Sequence, residues 1–144
     1  MPRQQKDASF DLLTQLHDST ALIAASARSL VGGVPVILDL GLSRVDARVI
    51  LDISVLHVAA GDLFRWVVHV SNDATMTTPI FQAAQFTAGD VTVNDETVDN
   101  AVPRRQEIAF TNEINGNLYR YMALDGVVVA SGAATYKAWL AAKA

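Results

Sequence analysis

The chain has 144 residues, of which 51% are hydrophobic and 18% charged, and its net charge at pH 7 is −4. This length suits one domain with its own apolar core, and the composition argues against intrinsic disorder. The acidic balance argues against a general nucleic-acid-binding protein, and the absence of cysteine excludes disulfides and thiolate chemistry.

The N-terminal residues 1–18 are predicted to form an arm that precedes a β domain of residues 19–144. Residues 1–10 lack the apolar core of a secretory signal peptide. Ser9 suits the N-cap of a short helix, which two turns would leave unstable alone. The apolar side chains that follow are Phe10, Leu12, Leu13 and Leu16. These four either pack on the chain's own domain or dock on a neighbouring chain, and we take them as candidate partner-binding residues.

The most strongly patterned part of the chain lies between residues 46 and 73. Two apolar stretches, 48–58 and 63–71, are separated by a short connection that contains Gly61. In both stretches large apolar residues occur at every second position, at Leu51, Ile53, Val55, Phe64, Trp66, Val68 and Val70. A period of two places each set on one face of a strand. The pattern predicts a central β-hairpin with one face in the core.

Further strands are predicted on both sides of this pair. Short apolar stretches at 21–26, 34–40, 78–86 and 104–111 have turn residues between them. The uncharged run 74–89 contains Pro79 and many polar residues, so it does not predict a membrane span.

The last third of the chain contains two turn signals. Asn115-Gly116 predicts a turn, and Asp125-Gly126 predicts a second strong hairpin, between residues 117–124 and 127–131. Residues 135–140 suit either a strand or a short helix. Together these elements predict an all-β, jelly-roll-like sandwich or barrel of about eight short antiparallel strands.

No pattern of side chains predicts catalysis or a cofactor. The three histidines, His17, His57 and His69, are not accompanied by a nucleophile motif, although His57 and His69 would approach each other if the central hairpin formed. They are interpreted as surface or sheet-face residues. We therefore expect no enzyme, no metal and no cofactor.

Three other features have a structural and a functional interpretation. The acidic stretch 89–102 lacks the spacing of a calcium loop and is interpreted as a solvated loop. Arg104-Arg105 is expected to pair with nearby acids instead of binding phosphate. Five aromatic residues suit core or interface packing better than a carbohydrate platform: Trp66, Trp139, Tyr119, Tyr121 and Tyr136.

Three parts of the sequence resemble the small capsid cement, or decoration, proteins of tailed bacteriophages, in particular the Bordetella-phage type. The first is DSTAL at 18–22 leading to ILDLG at 37–41. The second is VSND at 70–73 followed by TP at 78–79, and the third is LYRYMA at 118–123 followed by ASGAAT at 130–135. Together these segments span most of the chain in order.

The resemblance implies a jelly-roll-like fold and a structural role without catalytic residues. The implied protein is made in the host bacterial cytoplasm and bound to the outer surface of an icosahedral virion capsid. There it bridges major capsid protein subunits and associates with itself, with a homodimer favoured over a homotrimer. Neither a nucleic acid nor a membrane is an expected partner. The alternative is a carbohydrate- or receptor-binding β-sandwich module of a phage tail or fibre.

Overall fold

All helices and strands in the described part of the protein are β-strands. The computed structural model describes residues 15–58, 61–89, 99–100 and 104–142. Within these ranges there are 14 strands and no helix, so no described helix could cross a membrane. The all-β prediction is confirmed, and residues 135–140 belong to a strand.

Two antiparallel sheets carry the fold. The first sheet has the order β1-β14-β6-β10, with β9 also paired to β6, and its strands are β1 (Gln15–His17), β6 (Asp46–His57), β9 (Asp99–Asn100), β10 (Arg104–Thr111) and β14 (Ala133–Ala142). The second sheet has the order β2-β13-β7-β8, with β5 also paired to β13, and its strands are β2 (Ala27–Arg28), β5 (Leu38–Asp39), β7 (Leu63–Ser71), β8 (Phe81–Gly89) and β13 (Tyr121–Val129). Two small hairpins complete the described strands: β3 (Leu30–Val31) with β4 (Val34–Pro35), and β11 (Glu113–Ile114) with β12 (Asn117–Leu118).

The core lies between the inner faces of the two sheets. One cluster of buried side chains joins Val49, Leu51 and Ile53 of β6 to Phe64 and Trp66 of β7. These are residues of the predicted alternating pattern, because each strand has one inward face. The prediction is wrong for Val55, which lies outside the core because a β-bulge shifts the register of β6 after Ile53. The architecture is that of a β-sandwich, and the jelly-roll arrangement stays a prediction.

The predicted central hairpin is wrong. Among the described residues β6 pairs with β9, β10 and β14, whereas β7 pairs with β8 and β13. The two strands therefore lie in different sheets and face each other across the core. A period of two identifies one buried face but does not distinguish strands side by side from strands face to face. Five residues between them are enough to cross the roughly 10 Å between packed sheets.

The second predicted hairpin is also wrong, because Asp125-Gly126 lies inside the continuous strand β13. A Cβ atom at position 126 would lie 3.0 Å from the Cζ atom of Phe64. Close packing of an aromatic ring, and not a turn, therefore favours glycine here.

The turn at Asn115-Gly116 is confirmed. It joins β11 to β12, and both residues have positive φ angles, 52° and 80°. This is the conformation that Asn-Gly tolerates in two-residue hairpins. Two other predictions are corrected in detail: 21–26 contains only the bridge of Ile23 to Ala134, and 34–40 forms the two short strands β4 and β5.

The last residues of the predicted arm, 15–17, are part of the sandwich domain. Gln15 and His17 of β1 pair with Trp139 and Ala138 of β14, so residues 15–17 belong to the first sheet. Residues 1–14 lie outside the described residues.

Candidate functional site

One end of the sandwich exposes large apolar side chains. This end, which we call the apolar tip, is formed by the segments 39–46, 72–81 and 111–120. Its exposed apolar residues are Leu42, Ile80, Phe81 and Leu118, and Leu42 retains 80% of its accessible surface. The ring of Tyr119 lies 4.9 Å from that of Phe81, centroid to centroid. Exposed aromatic and aliphatic side chains gathered at one place are typical of a protein-binding surface.

Two asparagines hold the segments of the apolar tip together. Buried Asn112 donates from Nδ2 to the carbonyls of Ser43 (3.2 Å) and Tyr119 (2.9 Å) and accepts from the amide of Val45 (2.7 Å). Asn72 donates to the carbonyl of Leu118, 3.2 Å away. These bonds link segments that are distant in sequence, and they add to backbone hydrogen bonds such as those from Leu40 N to the carbonyl of Arg120 (2.7 Å) and from Tyr119 N to that of Asn112 (2.9 Å).

A third fixed point is Asp73. Its carboxylate accepts from the backbone amide and hydroxyl of Thr75 and from the amides of Thr78 and Thr77. These hydrogen bonds hold the pKa of Asp73 well below its usual range. The segment that leads to Ile80 is thus held by an anion that stays ionised at any ordinary pH.

The charges of the apolar tip are mostly paired with each other. Arg120 makes a two-pronged pair with Asp39, with both distances 2.8 Å, and this pairing together with the Gly41 amide lowers the pKa of Asp39 to about 2. Arg44 contacts both Asp46 (3.2 Å) and Glu113 (2.9 Å). With Asp73 the tip has four acidic and two basic side chains. It therefore combines apolar exposure with a local charge of about −2.

A shallow cleft of about 320 Å³ lies beside these residues. It is lined by Arg44 and Asp46, by Ala83 of β8 and by the end of β10 from Ala109 to Thr111. The cleft marks where the edges of the two sheets meet. The tip and this cleft are suited to binding a protein surface, and they contain no arrangement of nucleophile, base and acid.

Of the four predicted partner-binding residues only Leu16 belongs to the described part of the chain, and it does not lie at the apolar tip. Leu16 is fully buried in the core of the chain's own sandwich, which agrees with the alternative of packing on its own domain. Buried in this way, Leu16 is not available to dock on a neighbouring chain. Phe10, Leu12 and Leu13 lie outside the described residues.

The three histidines are not brought together. His57 is the last residue of β6, whereas His69 lies six residues after the start of β7, and the two strands are also in different sheets. His17 belongs to strand β1, so the surface alternative is wrong for it: the side chain is buried and stacks on Tyr136 with ring centroids 4.2 Å apart. Its burial lowers the pKa of His17, and nearby Asp18 raises it by a smaller amount.

His69 belongs to a polar cluster on the outer face of the second sheet. Its Nδ1 atom and Arg28 both bind the carboxylate of Asp125, with Arg28 Nε 2.9 Å from Oδ1. Burial raises the pKa of Asp125, but the hydrogen bonds from His69 and Arg28 outweigh this effect and keep the pKa low. No hydroxyl or amine with a nucleophilic role contacts this cluster among the described residues, so we interpret it as a link between β2, β7 and β13.

The aromatic residues do not form a platform. Trp66 and Tyr136 are buried in the core, with their ring centroids 5.6 Å apart, whereas Tyr119 belongs to the apolar tip. Burial raises the pKa of Tyr136 to about 12, although its hydrogen bond to Ser29 lowers it, so this phenol stays neutral. The prediction of core packing is confirmed for these two residues.

The prediction for the adjacent arginines is confirmed at Arg105. Its guanidinium makes two contacts with Asp52, at 2.7 Å and 3.0 Å. The acidic stretch lies almost wholly outside the described residues. Elsewhere in the described chain no three histidine or acidic side chains are placed to hold a metal ion.

Sequence reasoning missed the residues that organise the apolar tip. Asn72, Asp73 and Asn112 follow strand ends, where such residues commonly bond to backbone. That position was the available signal, but it does not identify partners many residues away.

No protein-family model, no curated protein and no solved structure matches this chain.

Proposed function

We propose that this chain is a structural virion protein that binds the outside of an icosahedral phage capsid and stabilises it by bridging adjacent major capsid protein subunits. The resemblance of residues 18–41, 70–79 and 118–135 to capsid cement proteins supports this role. The observation that carries the proposal is the apolar tip, which provides a surface suited to binding another protein. The chain acts by binding and not by catalysis.

The composition of the tip favours burial against a partner. Covering exposed side chains such as Leu42 and Leu118 is favourable by roughly 25 cal/mol for each Å² of apolar surface removed from water. The ion pair of Arg120 and Asp39 is already formed, so it need not be assembled when the partner arrives. The asparagine and Asp73 networks fix the loops beforehand, which reduces the entropy lost on binding.

The charge of the tip indicates the chemistry of the capsid surface. Four acidic side chains against two basic ones favour a partner surface with an apolar centre and lysine or arginine around it. The same charge disfavours contact of one tip with another. Self-association, for which a homodimer is proposed, would then use a different face.

Binding to two capsid subunits at once strengthens the attachment of the protein even when each contact is weak. A chain, or a dimer, attached to two subunits gains effective concentration at its second contact. Repeated over a closed shell, these contacts oppose expansion of the capsid. The proposed location is accordingly the outer surface of the virion.

The first test measures decoration of capsids that lack the protein. We expect Leu42→Asp and Leu118→Asp to lower occupancy about tenfold or more at limiting protein, because each places a charge in the apolar contact, and tenfold corresponds to about 1.4 kcal/mol. Val34→Asp is the matched control, since Val34 is also an exposed apolar residue but lies on the β3–β4 hairpin. Bound copies are counted on gels of purified shells, after circular dichroism has shown that each variant is folded.

Equal decoration by both folded tip variants and the wild type would reject the tip as the contact. Equal resistance of decorated and undecorated capsids to heat would reject the stabilising function itself. Copy number separates the alternative: a tail or fibre module would be present in few copies per particle, and a shell protein in many.

A further inference from the structure

A groove on the outer face of the first sheet has no role in the proposed function. It is created where the segment after β1 leaves its neighbour β14. His17 is opposite Ala138 and Ile23 is opposite Ala134, so five residues on one side face three on the other. The extra residues arch away from the sheet and form a wall that includes Ser19 and Thr20.

The opposite side of the groove is shaped by a β-bulge. The register of β6 and β14 shifts at this point, with Ile53 opposite Tyr136 but Val55 opposite Thr135. The additional residue is Ser54, so that both Ser54 and Val55 lie outside the core. Bulges commonly redirect side chains in this way next to binding sites.

The resulting space is about 480 Å³ and opens to solvent. This is within the range of small-molecule sites. Its lining combines apolar surface, which includes part of Tyr136, with six polar residues: Ser19, Thr20, Asp52, Ser54, Thr135 and Lys137. Val55 adds an apolar surface.

One of these groups, the carboxylate of Asp52, is held in place by a neighbour, and others have polar atoms that can bind a ligand. Asp52 is held by the two contacts from Arg105, and its carboxylate oxygens retain further acceptor capacity. Lys137 lies directly across from Asp52 on β14, yet it makes no ion pair with any described residue. The hydroxyls of Thr20 and Thr135 likewise make no hydrogen bond within the described chain.

This set of groups matches an acidic sugar. A fixed carboxylate and free hydroxyls bind the hydroxyl groups of a pyranose, and an apolar contact such as Val55 accommodates its C–H face. Among the lining residues Asp52 is already paired with Arg105, whereas Lys137 has no ion pair with a described residue, and this lysine favours a ligand with one negative group. We propose that the groove binds a uronic acid or a similar carboxylated sugar unit, with its carboxylate at Lys137.

The experiment is an NMR titration of the ¹⁵N-labelled full chain with D-glucuronate and with D-glucose, which differ only at C6, at constant ionic strength. We expect glucuronate to shift the amide signals of Thr20, Ser54, Thr135 and Lys137 and to bind about threefold or more tightly than glucose, as for one exposed ion pair. Acetate tests whether the site takes any carboxylate. Equal shifts at these amides with acetate would overturn the proposal, as would stronger binding of glucose or shifts confined to other residues.

Variants separate the two parts of the recognition. Lys137→Met should bring glucuronate affinity down to that of glucose and leave glucose unchanged, and Thr135→Val should weaken both sugars. Arg44→Met at the apolar tip, which also removes an exposed cation, should change neither. An unaltered preference for glucuronate in folded Lys137→Met would refute the assigned role of the lysine. Because the groove lies on a sheet face and not at the tip, these outcomes do not depend on the capsid proposal.

Discussion

His17 shows how a single polar residue can be placed in an apolar core. Its Nδ1 atom accepts a hydrogen bond from the backbone amide of Leu30, at 3.0 Å, so the ring proton of the neutral form is on Nε2. Nε2 is buried and has no hydrogen-bond partner among the described residues. Gaining a proton would put a positive charge in this site, which explains the lowered pKa of His17.

This arrangement predicts a dependence of stability on pH. In the unfolded chain the pKa of histidine is about 6.5. In the folded chain it is lower, so between these two values only the unfolded chain takes up the proton. His17 therefore does not lower the free energy of unfolding above about pH 6.5. Below that pH it lowers this free energy as the pH decreases, by at most about 1.4 kcal/mol per pH unit.

Urea unfolding at several pH values between 7.5 and 5 would measure the effect. His17→Gln should flatten the slope, whereas the control His57→Gln should leave most of it in place. An unchanged slope in folded His17→Gln would show that another group is responsible.

Asp125 and Asp52 form a natural comparison of the same ion pair in two environments. Each carboxylate binds an arginine through two atoms, but the side chain of Asp125 is 14% exposed and that of Asp52 is 39% exposed. We expect Asp125→Asn to cost about 1–3 kcal/mol, since it removes the charge and leaves one acceptor oxygen where Arg28 and His69 use two, in a partly buried site. Asp52→Asn should cost less than about 1 kcal/mol. Chemical denaturation of both variants at pH 7 checks this order, and a larger loss for Asp52→Asn would contradict it.

At the level of the strand, β13 depends on the absence of a side chain at one position. The ring of Phe64 packs against Gly126 and is itself confined by Trp66, whose ring centroid is 4.6 Å away. A methyl group at 126 would need Phe64 to move within a filled core. The Asp-Gly pair therefore lies within a strand that pairs with β7 on both sides of the glycine.

Gly126→Ala should therefore destabilise the protein by about 1–3 kcal/mol, although alanine has the better backbone entropy. The loss should be smaller in the background Phe64→Leu, where the smaller side chain leaves room for the methyl group. A double-mutant cycle by thermal or urea unfolding measures this coupling. Additive effects of the two substitutions would show that the ring is not the cause.

At the level of the whole molecule, the core is closed by a strand from the beginning of the described chain. β1 pairs with β14, the last strand of the described chain. Leu16 of β1 belongs to the same buried cluster as residues of both sheets. The fold is thus assembled mainly from contacts between distant parts of the sequence. The N-terminal residues of the described chain are as much a part of the sandwich as its central strands.

Leu16→Ala should cost about 2–5 kcal/mol, because it leaves a cavity in the core. Leu22→Ala is the matched control: Leu22 is 48% exposed, and its truncation should change stability by no more than about 0.5 kcal/mol. Unfolding midpoints in urea provide the comparison. Equal midpoints for the two variants would mean that Leu16 does not contribute to the core of the free protein.

Some features of the fold could be predicted from local sequence. Leu51, Ile53, Phe64 and Trp66 are buried as their alternation indicates, and Asn115-Gly116 forms its turn, since both properties depend on neighbouring residues only. The apolar tip was not predictable in the same way. Leu42 and Leu118 are 76 positions apart in the sequence, and their loops are connected by contacts between distant segments, among them the hydrogen bonds of Asn112 and Asn72 and the pairing of β5 with β13.

The sequence by itself determined that the protein is all-β, that Leu51 and Ile53 of β6 and the alternating residues of β7 point inward, and that Arg105 pairs with an acid. Only the tertiary structure decided that β6 and β7 belong to opposite sheets, that Asp125-Gly126 lies within a strand, and that His17 and Leu16 are buried. The physical reason is the range of the interactions. Strand periodicity and turn conformation are set within a few residues, whereas strand pairing, ring packing and burial depend on which distant segment supplies the other half of each contact.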